Sequence, residues 1–160
     1  MSTSDSWLPA GFVHPERAQL TEDVHLRPIA ARDADLGLIA VASVQPRLWR
    51  MYGTAWGWPP VGITREQEVA DLQHHADEMD RHESFNYAIF PTNESELLGC
   101  LYIDPVETDD PARVEAEVSW WLIDKARASL QEALDAFAHQ WLREHWPFTH
   151  VHTPFQDSGA

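Results

Sequence analysis

The sequence has no glycine between Gly99 and Gly159, although seven glycines occur among its 160 residues. Backbone amides reach a bound phosphate closely only where no Cβ intervenes, so glycine dominates the loops that bind phosphate groups. The second half of the chain therefore has no glycine-rich loop of this kind. Its clearest strand-to-helix junction, residues 124–130, carries Asp-Lys-Ala-Arg-Ala-Ser-Leu instead.

Positive charge and cysteine are scarce as well. The chain has 11 Lys and Arg residues against 26 Asp and Glu residues, which gives a net charge of −15. This excess argues against nucleic acid and against an anionic membrane as partners. The single cysteine, Cys100, cannot form an internal disulfide, which favours a reducing compartment. No apolar run approaches the roughly 20 residues of a transmembrane helix, so we expect a soluble, cytoplasmic protein.

Tryptophan, in contrast, is abundant, with eight residues in the chain. Large aromatic side chains either fill a core or wall a flat, apolar ligand site. Five of them fall in two groups, Trp49, Trp56 and Trp58 in the first and Trp120 and Trp121 in the second. We expect a pocket at the first group for a hydrophobic or planar small molecule, formed by Trp49, Tyr52, Trp56 and Trp58.

The spacing of apolar residues predicts one α+β domain at residues 23–156, preceded by an irregular arm at 1–22 and followed by a tail at 157–160. Helical periodicity predicts helices at 33–43, 64–81 and 126–146, and a short turn near Leu48 before a loop at 53–62. Alternation predicts a strand at 24–28, an antiparallel meander at 85–90, 97–103 and 114–123, and a last strand at 149–155. Thr64 and Gln67 have the spacing of a capping box.

Several segments resemble the GCN5-related N-acetyltransferase (GNAT) superfamily. Leu26-Arg27-Pro28 with Arg32-Asp33-Ala34-Asp35 resembles its opening strand and first helix, and residues 97–103 and 117–124 resemble its third and fourth strands. The loop Trp58-Pro59-Pro60-Val61-Gly62 and the pair Trp146-Pro147 are similar to those of a group of short actinobacterial members. The resemblance implies a mainly antiparallel sheet flanked by helices.

The resemblance also implies an activity, the transfer of an acyl group from acetyl-CoA or another acyl-CoA to a small-molecule amine. Glu117 occupies the place of a glutamate that deprotonates the amine in many members, and Glu115 lies two residues earlier on the same strand face. Main-chain groups around Val118 and Trp120 would hold the pantetheine arm. Arg127 would take the place of the arginine in the family's pyrophosphate loop.

The missing glycines leave two alternatives open. One is a repurposed domain that no longer uses coenzyme A and binds or transforms another small molecule in the tryptophan-lined cleft. The other is a non-catalytic interaction protein. The family also continues beyond its fifth strand with a helix and two more strands, which this sequence lacks. We expect a homodimer to cover the sheet edge left open.

A polar stripe on the predicted helix at 64–81 provides a further hypothesis. Asp71, His75, Glu78 and His82 follow one another at helical spacing, and two histidines with a carboxylate can bind a metal ion. The same spacing is typical of the solvent-facing side of an amphipathic helix. We therefore assign no metal site.

Overall fold

The structure is a computed structural model that describes residues 7–158. Its centre is a six-stranded sheet in which the strands lie side by side in sequence order. All neighbouring strands are antiparallel except the last two, which run parallel. The strands are β1 (Ala18–Thr21), β2 (Val24–Pro28), β3 (Phe85–Pro91), β4 (Gly99–Val106), β5 (Glu115–Leu122) and β6 (His150–His152). The predicted α+β fold with a mainly antiparallel sheet is confirmed.

Helices cover both faces of this sheet. The helices are α1 (Ala34–Ser43), α2 (Gln45–Trp56), α3 (Arg65–Asp80), α4 (Asp124–His145) and α5 (Pro154–Ser158), with a 3-10 turn at Ala31–Asp33 before α1. On one face, Tyr52 of α2 donates a hydrogen bond to Ser119 of β5. On the other face, the ring of Trp141 in α4 meets Tyr87 of β3 edge-on. Successive side chains of a strand point to opposite faces, so helices on both sides explain why β3 is buried from Phe85 to Phe90.

The predicted start of α3 is confirmed. The Thr64 hydroxyl accepts a hydrogen bond from the backbone amide of Gln67, and the side-chain oxygen of Gln67 accepts one from the backbone amide of Thr64. This capping box satisfies two amides that the first turn of a helix leaves without intrahelical partners.

The second helix is longer than the sequence indicates. It runs from Gln45 through Gly53 to Trp56, whereas we expected a loop from residue 53 onward. The ring of Trp49 lies over Gly53, where a Cβ would come within 2.8 Å of it, so this glycine serves close packing rather than a turn. Gly57, with φ of 62°, then ends the helix in the left-handed conformation that glycine adopts readily.

The two ends of the domain also differ from the expectation. Residues 18–21 form strand β1 within the segment predicted to be irregular, because Ala18 and Gln19 pair with Leu26 and His25 of β2. The last strand covers only residues 150–152, and Pro154 begins α5. The parts of the predicted arm and tail at residues 1–6 and 159–160 lie outside the described residues. Within residues 7–158, no helix is both long and apolar enough to cross a membrane.

Candidate functional site

A cavity of about 320 Å³ lies between the sheet and helices α1 and α3. We call it the acidic cavity, because its lining includes Glu68, Asp71, Glu78 and Asp104 but no lysine or arginine among the described residues. Helix α3 supplies the first three of these carboxylates, and β4 supplies Asp104. The arrangement suits a cation, since several carboxylates converge on one partly enclosed space.

Glu68 is the most unusual residue of the acidic cavity. Its side chain is buried, with 5% of the residue exposed, and it has no hydrogen bond or ion pair with any described residue. Gly37 of α1 makes room for it, because a Cβ at that position would lie 2.7 Å from the Glu68 Oε2 atom. Burial, with a smaller contribution from Asp71, raises the pKa of Glu68 from 4.5 to about 7.

The floor of the acidic cavity carries a second polar group without a partner. Asn86 of β3 is 4% exposed, and its Oδ1 atom accepts no hydrogen bond. A buried polar atom of this kind normally has a partner, so an unpaired one in a cavity wall points to a donor supplied by a ligand or water. Beyond Asn86, Asp104 accepts a hydrogen bond of 2.6 Å from the Ser84 hydroxyl, and burial raises its pKa.

Aromatic rings form the remaining wall. Trp56 and Trp58 line the acidic cavity together with Tyr102 of β4. Tyr52 is fully buried behind them and stacks on Trp56, with ring centroids 4.3 Å apart. Trp49 lies outside this group, because it precedes Trp56 by two turns of α2, and 46% of it is exposed. The structure therefore brings together three of the four aromatic residues that the sequence groups in one pocket.

Glu117 and Glu115 lie at the start of β5, beside β6. Glu117 is half-buried and lines an open depression with His150 and His152. It pairs in register with Asp104 of β4, and its charge contributes to the raised pKa of Asp104.

The neighbouring Glu115 is held by other side chains. His152 lies 2.7 Å from its Oε1 atom, and Arg113 lies 2.8 Å from its Oε2 atom. The hydrogen bond from His152, followed by the charge of Arg113, lowers the pKa of Glu115. A lowered pKa makes this carboxylate a weaker base than an ordinary glutamate.

The strands β5 and β6 separate after three residue pairs. β6 pairs with Glu115–Glu117 and then leaves the sheet, so the edge of β5 beyond this point faces a cleft. In this cleft the Gln156 side chain accepts a hydrogen bond from the Trp120 amide at 2.9 Å and donates one to the Trp120 carbonyl at 3.2 Å. The main-chain N–H and C=O of Trp120, at the exposed edge of β5, therefore bind the carboxamide of Gln156. The side chain of Val118 is fully buried.

We call this space the β5–β6 cleft; it has a volume of about 400 Å³ and is lined by Arg47, Trp120, Arg127 and Gln156, among others. The Arg47 guanidinium donates to the Leu122 carbonyl and to the Asp124 carboxylate. Arg127 is exposed and has no ion pair with a described residue. Two arginines in one cleft are notable in a chain with only 11 basic residues, and they make this region suitable for an anionic group.

The predicted polar stripe does not form one cluster. His75 lies 3.8 Å from Asp71 and 3.6 Å from Glu78. His82 follows the end of α3 with a φ of 57° and contacts the rings of Phe12, His14 and Phe85 instead. Within residues 7–158, no group of three or more His, Cys, Asp or Glu side chains has a geometry that could hold a metal ion.

Comparison with known proteins decides the family. No curated protein sequence matches the chain. The sequence profile described as "Acetyltransferase (GNAT) domain" matches residues 23–155, most of the chain. The protein belongs to this family. The resemblance drawn from the sequence is thereby confirmed at the level of the superfamily.

Solved structures show the same fold as this GNAT domain. RimL, a ribosomal L7/L12 alpha-N-protein acetyltransferase, is 20% identical, with a TM-score of 0.59 over 85% of this chain and 70% of RimL. RimL in complex with coenzyme A is 17% identical, with a TM-score of 0.58 over 82% and 71%. An acetyl transferase from Salmonella typhimurium that modifies the N-terminal serine of L7/L12 is 16% identical, with a TM-score of 0.61 over 82% and 71%. At these identities the comparisons establish the fold alone.

The sequence did not identify Glu68, Asn86, Asp104 or Gln156 as site residues. For Glu68 a signal exists, because it precedes Leu72 by four residues and Met79 by eleven, on the buried stripe of α3. A glutamate at a buried position of an amphipathic helix indicates either a partner or a functional site. Gln156 gives no such signal, since its role depends on where β6 leaves the sheet.

Glu68→Gln is expected to stabilise this GNAT domain at alkaline pH. The folded protein holds the Glu68 proton more tightly than the unfolded chain, so the wild type loses stability as pH rises from about 4.5 to about 7. Glutamine cannot ionise, and the variant should gain up to about 3 kcal/mol at pH 8 but little at pH 4.5, because one pKa unit corresponds to about 1.4 kcal/mol. Urea unfolding at the two pH values measures this. An equal change in stability at the two pH values would contradict the prediction. Glu66→Gln is the control, because Glu66 is exposed.

Proposed function

We propose that this protein transfers an acyl group from an acyl-coenzyme A to the amino group of a small cationic molecule. The observation that carries the proposal is the position of Asp104. It lines the acidic cavity and also lies beside Glu117, at the end of β5 from which β6 diverges. A cationic amine held in the acidic cavity would thus extend toward the place where this family carries out acyl transfer.

The residues of the β5–β6 cleft fit coenzyme A, although the contacts would differ from those of a glycine-rich loop. The Trp120 amide donates to the Gln156 carboxamide and the Trp120 carbonyl accepts from it, so the same main-chain groups can hold an amide of the pantetheine arm once Gln156 is displaced. Arg127 and Arg47 would supply guanidinium groups for the diphosphate in place of the missing glycine amides. When bound, the coenzyme supplies the acyl group as a thioester and leaves as a thiol.

The chain's own residues provide proton transfer and positioning. A primary amine reaches the site as an ammonium ion and must lose a proton before its nitrogen can attack a carbonyl carbon. We assign this proton to the carboxylate of Glu117, because Glu115 is already held by His152 and Arg113. Glu115 then acts as a positioning residue that orients the His152 ring at the edge of the depression.

The size of the acidic cavity favours a small acceptor over a polypeptide. A volume of about 320 Å³ lies in the lower range of small-molecule sites. Helices α1 and α3 and the loop that contains Trp58 partly enclose this space. RimL acts on the N-terminus of a ribosomal protein. A peptide with an N-terminal serine is therefore the informative alternative acceptor in any activity screen.

Calorimetric titration of acetyl-coenzyme A tests the cofactor assignment. We expect binding by the wild type and a loss of about tenfold in Arg127→Ala, since one charge-assisted hydrogen bond contributes about 1.5–3 kcal/mol. S-acetylpantetheine, which lacks the phosphates, should bind both proteins equally. Arg143→Ala is the matched control, because Arg143 lies exposed on the same helix but outside the β5–β6 cleft. Equal affinity of both variants for acetyl-coenzyme A would remove Arg127 from the site.

The hydrogen bonds of Gln156 favour one second candidate, a repurposed domain that binds a small molecule without coenzyme A. In that case the carboxamide would fill the edge of β5 permanently. Absence of acetyl-coenzyme A binding at millimolar concentration in both wild type and Gln156→Ala would favour this second candidate.

The homodimer expected from the sequence stays a prediction, which sedimentation velocity can test.

A further inference from the structure

The acidic cavity is elongated along α3 and β4. Glu68 and Glu78 of α3 line it together with Cys100 and Asp104 of β4. Glu68 helps to raise the pKa of Cys100, and Glu78 helps to raise that of Asp104, so the helix and the strand run side by side. Ten residues of helix separate Glu68 from Glu78, which corresponds to roughly 15 Å at 1.5 Å per residue. Four residues of strand separate Cys100 from Asp104, which corresponds to roughly 13 Å. The cavity therefore has Glu68 toward one end and Glu78 with Asp104 toward the other, while Asp71 and His75 lie between them on α3.

The two ends differ in how their polar groups are satisfied. At the α1 end, Glu68, which is 5% exposed, has no partner for its carboxylate among the described residues. Asn86, whose Oδ1 atom also lacks a donor, pairs in register with Tyr102 and so lies between the two ends. At the other end, Asp104 is half-buried and receives one hydrogen bond, from Ser84. An unpaired carboxylate and an unpaired buried amide oxygen in the same cavity call for donors with a positive charge, and an ammonium group provides three N–H donors.

Away from Asp71 and His75 of α3, the wall between the ends is aromatic. Trp56, Trp58 and Tyr102 line it, and rings of this kind pack against methylene groups and attract cations over their faces. A ligand that matches the whole cavity thus carries a positive charge at each end and a hydrocarbon chain between them. Neither a flat aromatic molecule nor a simple monoamine would satisfy both Glu68 and Asp104.

We propose that the acidic cavity binds an elongated diammonium compound, with one ammonium on Glu68 and the other directed toward Asp104. The ammonium beside Asp104 would then be the amino group that is acylated, while the one on Glu68 anchors the molecule. Only the acylation of the ammonium beside Asp104 rests on the proposed function. Binding itself depends on the acidic cavity alone.

A series of linear α,ω-diaminoalkanes, from diaminopropane to diaminoheptane, tests the proposal by calorimetry at pH 8. Alkylamines of the same chain lengths serve as single-charge controls. We expect one preferred length among the diamines and affinity at least about tenfold above the matching monoamine, the effect of one additional ion pair with hydrogen bonds. Equal affinity of diamines and monoamines, or no dependence on length, would overturn the proposal.

Two variants locate the anchoring end. Glu68→Gln removes the charge, and Gly37→Ala pushes the Glu68 carboxylate aside without removing it, because the new Cβ would lie 2.7 Å from Oε2. Both should weaken the preferred diamine about tenfold, to about the affinity that the wild type has for the matching monoamine. Glu66→Gln, on the exposed side of the same helix, should have no effect. If Glu66→Gln weakens the diamine as much as Glu68→Gln, the binding reflects general attraction to an acidic protein and the proposal fails.

The outcomes separate this inference from the proposed function. Tight, Glu68-dependent diamine binding without acyl transfer would support the diammonium site and contradict the acyltransferase assignment. Acetyl-coenzyme A-dependent acylation of other amines, without diamine binding, would support the acyltransferase assignment and contradict the diammonium site.

Discussion

Replacing Arg27 with methionine is expected to lower the free energy of unfolding by about 3–5 kcal/mol, the range observed when one partner of a buried ion pair is removed. Arg27 of β2 donates two hydrogen bonds to Asp33, at 2.9 and 2.8 Å, and two to Glu94, both at 3.0 Å. Asp33 is only 4% exposed. Methionine keeps the length and apolar stem of the side chain but leaves the Asp33 carboxylate buried without its cation.

The pH dependence distinguishes this loss from a simple packing defect. The Arg27 guanidinium, followed by the hydrogen bond with His25, lowers the pKa of Glu94 to about 2. Glu94 therefore contributes stability that is fully present above about pH 4.5 and is lost as pH falls toward 2. In Arg27→Met most of this contribution disappears, so the difference between variant and wild type should shrink between pH 6 and pH 2.5.

Urea unfolding of both proteins across this range is the measurement. Arg32→Met is the control, because Arg32 lies exposed in the adjacent 3-10 turn. A loss below about 1 kcal/mol in Arg27→Met at pH 6 would show that the network behaves like a solvent-exposed ion pair. A difference that stays constant down to pH 2.5 would mean that packing of the arginine stem accounts for the loss.

The features predicted successfully from the sequence are those set by local chemistry. Thr64 and Gln67 satisfy each other's backbone amides whatever surrounds them, so their spacing alone located the start of α3. The meander β3–β4–β5 follows from alternation and turns in the same way. In contrast, β1 has only four residues, too few for their alternation to indicate a strand, and it forms because β2 offers it an edge.

The candidate site was less predictable because it depends on contacts between distant segments. Trp49 and Trp56 lie on the same face of α2, yet only Trp56 lines the acidic cavity, since Trp49 lies two turns earlier along the helix. The buried state of Glu68 depends on Gly37, thirty-one positions away along the chain. Neither relation is visible in the local sequence of either residue, whereas Glu117 and Trp120 could be located from the strand that carries them.

Glu117→Gln is expected to reduce acyl transfer by about 10²–10³-fold, a typical contribution of a positioned general base. Glutamine preserves the size of the side chain and its place opposite Asp104, but it cannot take the proton from the ammonium group. We expect kcat to fall with little change in KM for the amine, because the acidic cavity that binds the acceptor stays intact. Coenzyme A release at saturating acetyl-coenzyme A, with the preferred diamine as acceptor, measures both constants.

Comparison with two further variants shows whether the carboxylate of Glu117 acts directly. Glu115→Gln should reduce turnover by less than about tenfold, since Glu115 is held by His152 and Arg113 and has a lowered pKa. Asp104→Asn tests the neighbouring carboxylate, whose pKa Glu117 helps to raise. Turnover that is unchanged in Glu117→Gln but lost in Asp104→Asn would transfer the role of base to Asp104. The two carboxylates face each other across β4 and β5, so a proton can leave the amine by either one, and this pair of variants identifies which.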